Sequence, residues 1–239
     1  MPQMQIGSLS LQLNRKAIKN LHISVLPPDG RIRVAAPEQM TDTAIRMAVI
    51  SRIPWIKKQQ RDFAAQPRQS DREMVSGECH YFWGKRHRLN VIERIGRHEV
   101  KVSGGKIHLF VNPGTWIQNR ALVLSEFYRA QLKAQVEKLI PEWQQRIAVE
   151  VEVADWHVKK MKTKWGSCNV GAKRIWLNLE LAKKPLECLE YILVHELVHL
   201  LERKHNERFL SHMDKFMPNW RERRDLLNQL PLAFENWLY

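Results

Sequence analysis

The stretch Tyr191–Phe209, YILVHELVHLLERKHNERF, constrains this chain more than any other. Ile192, Leu193, Val194, Leu197, Val198, Leu200 and Leu201 are apolar on every side of a helix, so the helix belongs in a core. Into that run fall His195, Glu196 and His199. Burying an imidazole or carboxylate without partners is costly, and coordination of a cation removes that cost. His195 and His199 are four residues apart and lie on one helix face, a turn from each other, where two imidazoles can reach one ion. Glu196 is rotated away from the pair and can reach a water held by that ion. This is the H-E-x-x-H pattern, two metal ligands plus a general base. The alternative is a chance match whose histidines hydrogen-bond within the core.

A catalytic zinc takes three protein ligands. Glu202 shares the histidine face but lies about 10 Å up the axis from His195, and three ligands in one column converge poorly. His205 qualifies only if the helix ends near Arg203-Lys204 and the chain turns back. Basic residues suit a helix C-terminus, and Asn206 is a good N-cap for a following helix. His205 is therefore the favoured third ligand, with His212 or a carboxylate from the last helices as fallback. The spacing equals that of the metzincins, but their turn glycine would fall at Glu202, so the chain is not placed among them.

A chain of 239 residues can bury one large core or two small ones. Its apolar and charged fractions are those of a globular protein, and no apolar run is long enough for a transmembrane helix. The start, MPQMQIGSLSLQL, lacks the layout of a signal peptide. Cys79, Cys168 and Cys188 show no paired spacing, which argues against disulfides and a thiolate metal site and for a cytoplasmic protein. The formal charge of +14 favours polyanionic partners or a solvated surface.

The periodicities predict an α+β protein with a β-rich front and a helix-rich back. Strands are expected at about 4–13, 20–26 and 31–36, with PPDG at 27–30 as a turn. A helix should run from Thr41 to about Gln66, kinked or broken at Pro54. AQPRQSDREMVSG reads as a linker, so a β-rich N-terminal region at 1–66 and a linker at 67–76 should precede a catalytic domain at 77–239. Further strands are expected at about 78–83, 87–95, 98–103 and 106–112, the last two joined at Gly104-Gly105. A long helix carrying Leu124, Tyr128, Leu132, Val136, Ile140 and Trp143 should be interrupted at Pro141. Strands at 149–154 and 174–181 should precede the motif helix at 186–202, a helix from Asn206 and another near 219–229. The last residues, LPLAFENWLY, are apolar enough to dock on the body.

With the residues upstream, the match to a family becomes close. Trp165-Gly-Ser-Cys168, the strand from Arg174 to Leu181, His195 to His199, His205 with Phe209, and Pro218 with Trp220 resemble the signature of YgjP-like metal-dependent hydrolases. PDGRIRVAAP and WIKKQQ in the front half are similar to segments of that family. The resemblance implies a zincin-type fold, in which a small sheet backs the active helix. It implies His195, His199 and His205 as ligands of Zn²⁺ (another divalent ion such as Mg²⁺ being an alternative) and Glu196 as base. It also carries two activities: peptide hydrolysis, and release of diphosphate from a nucleotide such as UTP.

The charge clusters between Trp156 and Leu179, where Lys159, Lys160, Lys162, Lys164, Lys173 and Arg174 stand with no Asp or Glu. On a strand, alternation would put Lys160, Lys162 and Lys164 on one face. Lys160, Lys162, Lys164 and Arg174 are thus candidate contacts for an anionic or peptide substrate, with Trp165 available for stacking and Ser167 as a donor. The alternative is an edge strand blunted by lysine against aggregation, with Trp165 and Trp176 in the core. A nucleic-acid-binding protein with a structural metal is a third reading, for which no helix-turn-helix, RNP or zinc-finger signature is present.

Overall fold

The computed structural model describes residues 3–26, 29–65, 72–147, 153–161 and 164–229. Pro27-Pro28, residues 67–71 of the proposed linker, residues 149–152 of the strand expected at 149–154, Lys162 and the segment LPLAFENWLY lie outside these residues. The chain divides into two compact units, with the boundary between Asp71 and Arg72.

The first unit opens with strands β1 (Gln3–Ile6), β2 (Leu9–Lys16), β3 (His22–Leu26) and β4 (Arg31–Pro37), in the order β1-β2-β4-β3. β2 runs parallel to β4, and the two outer pairs are antiparallel. Alternation sets the buried face: Leu9, Leu11 and Leu13 of β2 and Ile32, Val34 and Ala36 of β4 point into one core. Helix α1 (Asp42–Ser51) adds Ile45 and Val49 to that core. Its N-cap is Thr41, whose hydroxyl accepts the Ala44 N–H at 3.3 Å. The helical stretch then breaks at Arg52. Helix α2 (Ile53–Ala65) restarts with Pro54 in its first turn, where a missing N–H is harmless.

The second unit repeats that pairing pattern. Strands β5 (Cys79–Phe82), β6 (Lys85–Glu93), β7 (Glu99–Ser103) and β8 (Lys106–Val111) stand in the order β5-β6-β8-β7, again with the two inner strands parallel. Helix α3 (Ile117–Ile147) follows, and it runs unbroken through Pro141, contrary to the sequence expectation. The stripe Leu124, Tyr128, Leu132, Val136, Ile140, Trp143 and Ile147 is buried on both sides of the proline. Tertiary packing along that stripe outweighs one lost backbone hydrogen bond.

A third sheet comprises β9 (Asp155–Lys159), β10 (Gly166–Asn169) and β11 (Arg174–Asn178), ordered β10-β11-β9. β11 is antiparallel to β10 and parallel to β9. β11 is shorter than expected because Asn178 caps a 3₁₀ turn at Leu179–Lys183, its side-chain oxygen accepting the Glu180 N–H at 3.2 Å. Lys160, Met161 and Lys164 are not in a strand, so among the described residues the strand face expected for Lys160 and Lys164 does not arise. Helix α4 (Leu186–Val198) carries the motif and is followed by α5 (Glu207–Phe216) and α6 (Trp220–Gln229). Glu190 ties α4 to its neighbours: it accepts the Trp143 indole N–H at 3.1 Å and pairs with Arg223.

The start of α4 is fixed by the β5–β6 turn. Trp83 and Gly84 both take positive φ, +46° and +76°, as a tight two-residue hairpin requires. The Trp83 and Gly84 N–H groups donate to the Ala182 and Lys183 carbonyls at 3.0 and 3.3 Å. A Cβ on Gly84 would lie 2.7 Å from Cγ of Pro185, the N-cap of α4. Gly84→Ala should therefore destabilise the protein by about 1–3 kcal/mol through strain and overpacking, read as a lower urea midpoint at unchanged slope.

Candidate metal centre

α4 ends at Val198, four residues earlier than the apolar run suggested, and His199 is its C-cap. The end is tight: Leu200 and Leu201 N–H donate to the Leu197 and Val198 carbonyls at 3.0 and 2.9 Å. Glu202 then organises the reversal. Its carboxylate accepts the Lys204 N–H at 3.1 Å, and its carbonyl faces His199 Nδ1 at 3.1 Å. Asn206 starts α5, its side chain accepting the Phe209 N–H at 3.0 Å. This turn is what returns His205 to the two helix histidines.

The nitrogens of His195, His199 and His205 lie within 4.8 Å of one another. His205 Nε2 stands 2.9 Å from His195 Nε2, and the three rings have centroids 4.6–4.9 Å apart. Phe209, 2% exposed, packs against all three rings at 4.8–4.9 Å. Donation from His199 Nδ1 to the Glu202 carbonyl leaves Nε2 unprotonated, the form a metal takes. Burial pushes His195 down to about 3, helped by the charges of His199 and His205, so its ring is neutral at physiological pH. Three imidazoles within reach of one point are a donor set suited to a borderline-soft divalent ion. His212 is not part of this cluster; it stacks on Phe216.

Glu196 is 5% exposed and faces β10. Burial pushes its carboxyl up to about 8, opposed by the charge of Lys164. The room for it is made by Gly166: a Cβ there would meet Glu196 Oε1 at 2.5 Å and Cδ at 2.9 Å. Composition does not reveal this role, although a glycine inside a strand is a known sign of close approach. Asn178 was also missed. Its buried amide donates to the Met161 and Lys164 carbonyls at 2.9 and 2.8 Å and its oxygen accepts the Met161 N–H at 3.3 Å, anchoring the segment that leads into β10.

The remaining candidates divide between the two faces of the sheet. Gly166 and Cys168 of β10 share the α4 face with Ile175 and Leu177, whereas Ser167 and Asn169 share the opposite face with Trp176. Ser167 thus points away from Glu196. Lys160 and Lys164 border a groove that Ser167 and Trp176 also line. Arg174 pairs with Asp155 at 3.0 Å at the end of the sheet. Trp165 packs on the core with Lys184 over its ring at 5.4 Å. Burial and the Glu196 charge push the Cys168 thiol up to about 12, so it stays protonated.

A zincin is defined by such a helix behind a small sheet, and the chain belongs to the YgjP-like family. The profile described as "YgjP-like, metallopeptidase domain" matches residues 19–230. The chain is accordingly a metal-dependent hydrolase of the zincin type. No curated protein matches it. Among the described residues, no helix is long and apolar enough to cross a membrane.

Gly166→Ala should push the Glu196 carboxylate out of its place at a cost of about 1–3 kcal/mol. Thermal unfolding should fall by several degrees while the three histidines still bind metal, as read by metal-to-protein stoichiometry.

Proposed function

We propose that the protein is a zinc-dependent peptidase that cleaves an extended segment laid along β10. The observation that carries this reading is the meeting of three elements: the histidine cluster, Glu196, and the edge of β10. Among the described residues no strand pairs with the outer edge of β10, so its backbone N–H and C=O groups can align a peptide by strand addition. His195, His199 and His205 would hold the ion. A divalent cation there supplies positive charge that acidifies water and polarises the scissile carbonyl. The same positive charge would favour the ionised form of Glu196, whose Oε1, set against Gly166, would take the proton of the attacking water and return it to the leaving amine. Asn178 and Gly166 keep the strand and the carboxylate in register.

Cleavage of a nucleoside triphosphate would use the same base but needs cations beside the phosphates. Lys160 and Lys164 line the groove of the opposite sheet face. That placement favours the peptide.

The test is turnover of an unfolded protein substrate such as casein by zinc-loaded protein. Glu196→Gln should lower the rate on the order of 10³-fold and keep the metal. His195→Ala and His199→Ala should lose both metal and activity. Full turnover by Glu196→Gln would contradict the mechanism. Diphosphate release from nucleoside triphosphates, lost in the same variant, would move the assignment to a pyrophosphatase.

A further inference from the structure

The face of the β10-β11-β9 sheet turned away from α4 carries a groove that hydrolysis leaves without a role. The register puts Ser167, Trp176 and His157 in one row across this face, with Asn169, Arg174 and Asp155 in the next. A groove of about 570 Å³ is lined by Lys159, Lys160, Lys164, Ser167, Asn169 and Trp176, with Met161 among them. Three lysines and one half-buried indole therefore line the same groove. The carboxylate on these rows, Asp155, is engaged by Arg174 at 3.0 Å and His157 at 2.7 Å.

The aromatic geometry adds a second observation. Lys159 Nζ sits 4.2 Å from the Trp176 ring centroid, and the His157 ring lies 4.6 Å from it at 33°. An exposed, flexible ammonium thus occupies a face of the indole that a planar base could take. Stacking a base is worth more than an exposed cation–π contact, and the displaced ammonium becomes available to a phosphate. Lys173, in the turn between β10 and β11, extends the positive charge along the same sheet.

We propose that this groove binds single-stranded nucleic acid, with one base on Trp176 and successive phosphodiesters on Lys159, Lys160 and Lys164. A duplex hides its base faces and would use only the charge. The net charge of +14 attracts the flanking phosphates that a strand has and a mononucleotide lacks. The proposal does not depend on which bond the metal centre cuts.

Fluorescence anisotropy of labelled oligothymidylate with the full chain tests it. A plot of log K against log salt should have a slope of about −2, for three phosphates on a single strand. Lys159→Ala with Lys160→Ala should weaken binding and flatten the slope to about −0.7, with metal content unchanged. Trp176→Ala should weaken binding on the order of tenfold at unchanged slope, and Trp176→Phe should restore most of it. Binding unaltered in the double lysine variant would overturn the proposal. So would equal competition by UMP per nucleotide, which would indicate a mononucleotide pocket, or by polyglutamate per charge, which would indicate an unspecific anion surface.

Discussion

Glu196 is a carboxylate in the wall between a core helix and a strand, and the rest of the second unit is arranged around that burial. Almost any side chain on β10 opposite it would collide, so position 166 is glycine. A glycine strand only four residues long gives little hold of its own. Asn178 compensates by fastening the incoming segment at Met161 and Lys164, and the Asn178 N–H binds the Trp165 carbonyl at 2.9 Å. On the other side α4 cannot shift: Glu190 is held by Trp143 and Arg223, and Pro185 is wedged against the Gly84 turn. Precision at one carboxylate is thus distributed over α3, α6, the β5–β6 hairpin and the end of β11.

The histidine cluster depends on a different device, the early end of α4. Had the helix continued to Glu202, His205 would have pointed elsewhere. Glu202 instead serves the turn twice, through its carboxylate to the Lys204 N–H and through its carbonyl to His199. The second contact orients an imidazole, so the residue that reverses the chain also sets a tautomer. Phe209, the first apolar anchor of α5, closes the cluster from below and couples the docking of that helix to the placement of all three rings.

Much of this was legible in residue order. The spacing of His195, Glu196 and His199 within an apolar run announces a core helix with a chemical task, and Asn206 announces a new helix that requires a turn. The stripe from Leu124 to Trp143 announces α3. What stayed hidden is what depends on tertiary partners. Pro141 reads as a break because local propensity says so, yet packing on both sides carries the helix through. Lys160 and Lys164 read as part of a strand by alternation, while β9 ends at Lys159 and β10 begins only at Gly166. The common pairing pattern of the two four-stranded sheets is invisible because it lies in hydrogen-bond order, with different side chains filling each core. Asn178 reads as an interior residue of the strand expected at 174–181 until its partners are seen.

The two faces of the small sheet carry different chemistry because strand alternation separates them by a single residue step. Gly166 and Cys168 serve the buried carboxylate, and Ser167 and Trp176 serve a basic groove. On the reading proposed above, His195, His199 and His205 form one cation site. The most direct measurement is X-ray absorption at the zinc edge on the loaded protein. Three imidazole nitrogens are expected at about 2.0–2.1 Å with an oxygen donor completing the shell, falling to two imidazoles in His205→Ala. A first shell containing sulfur, or one unchanged by His205→Ala, would contradict it.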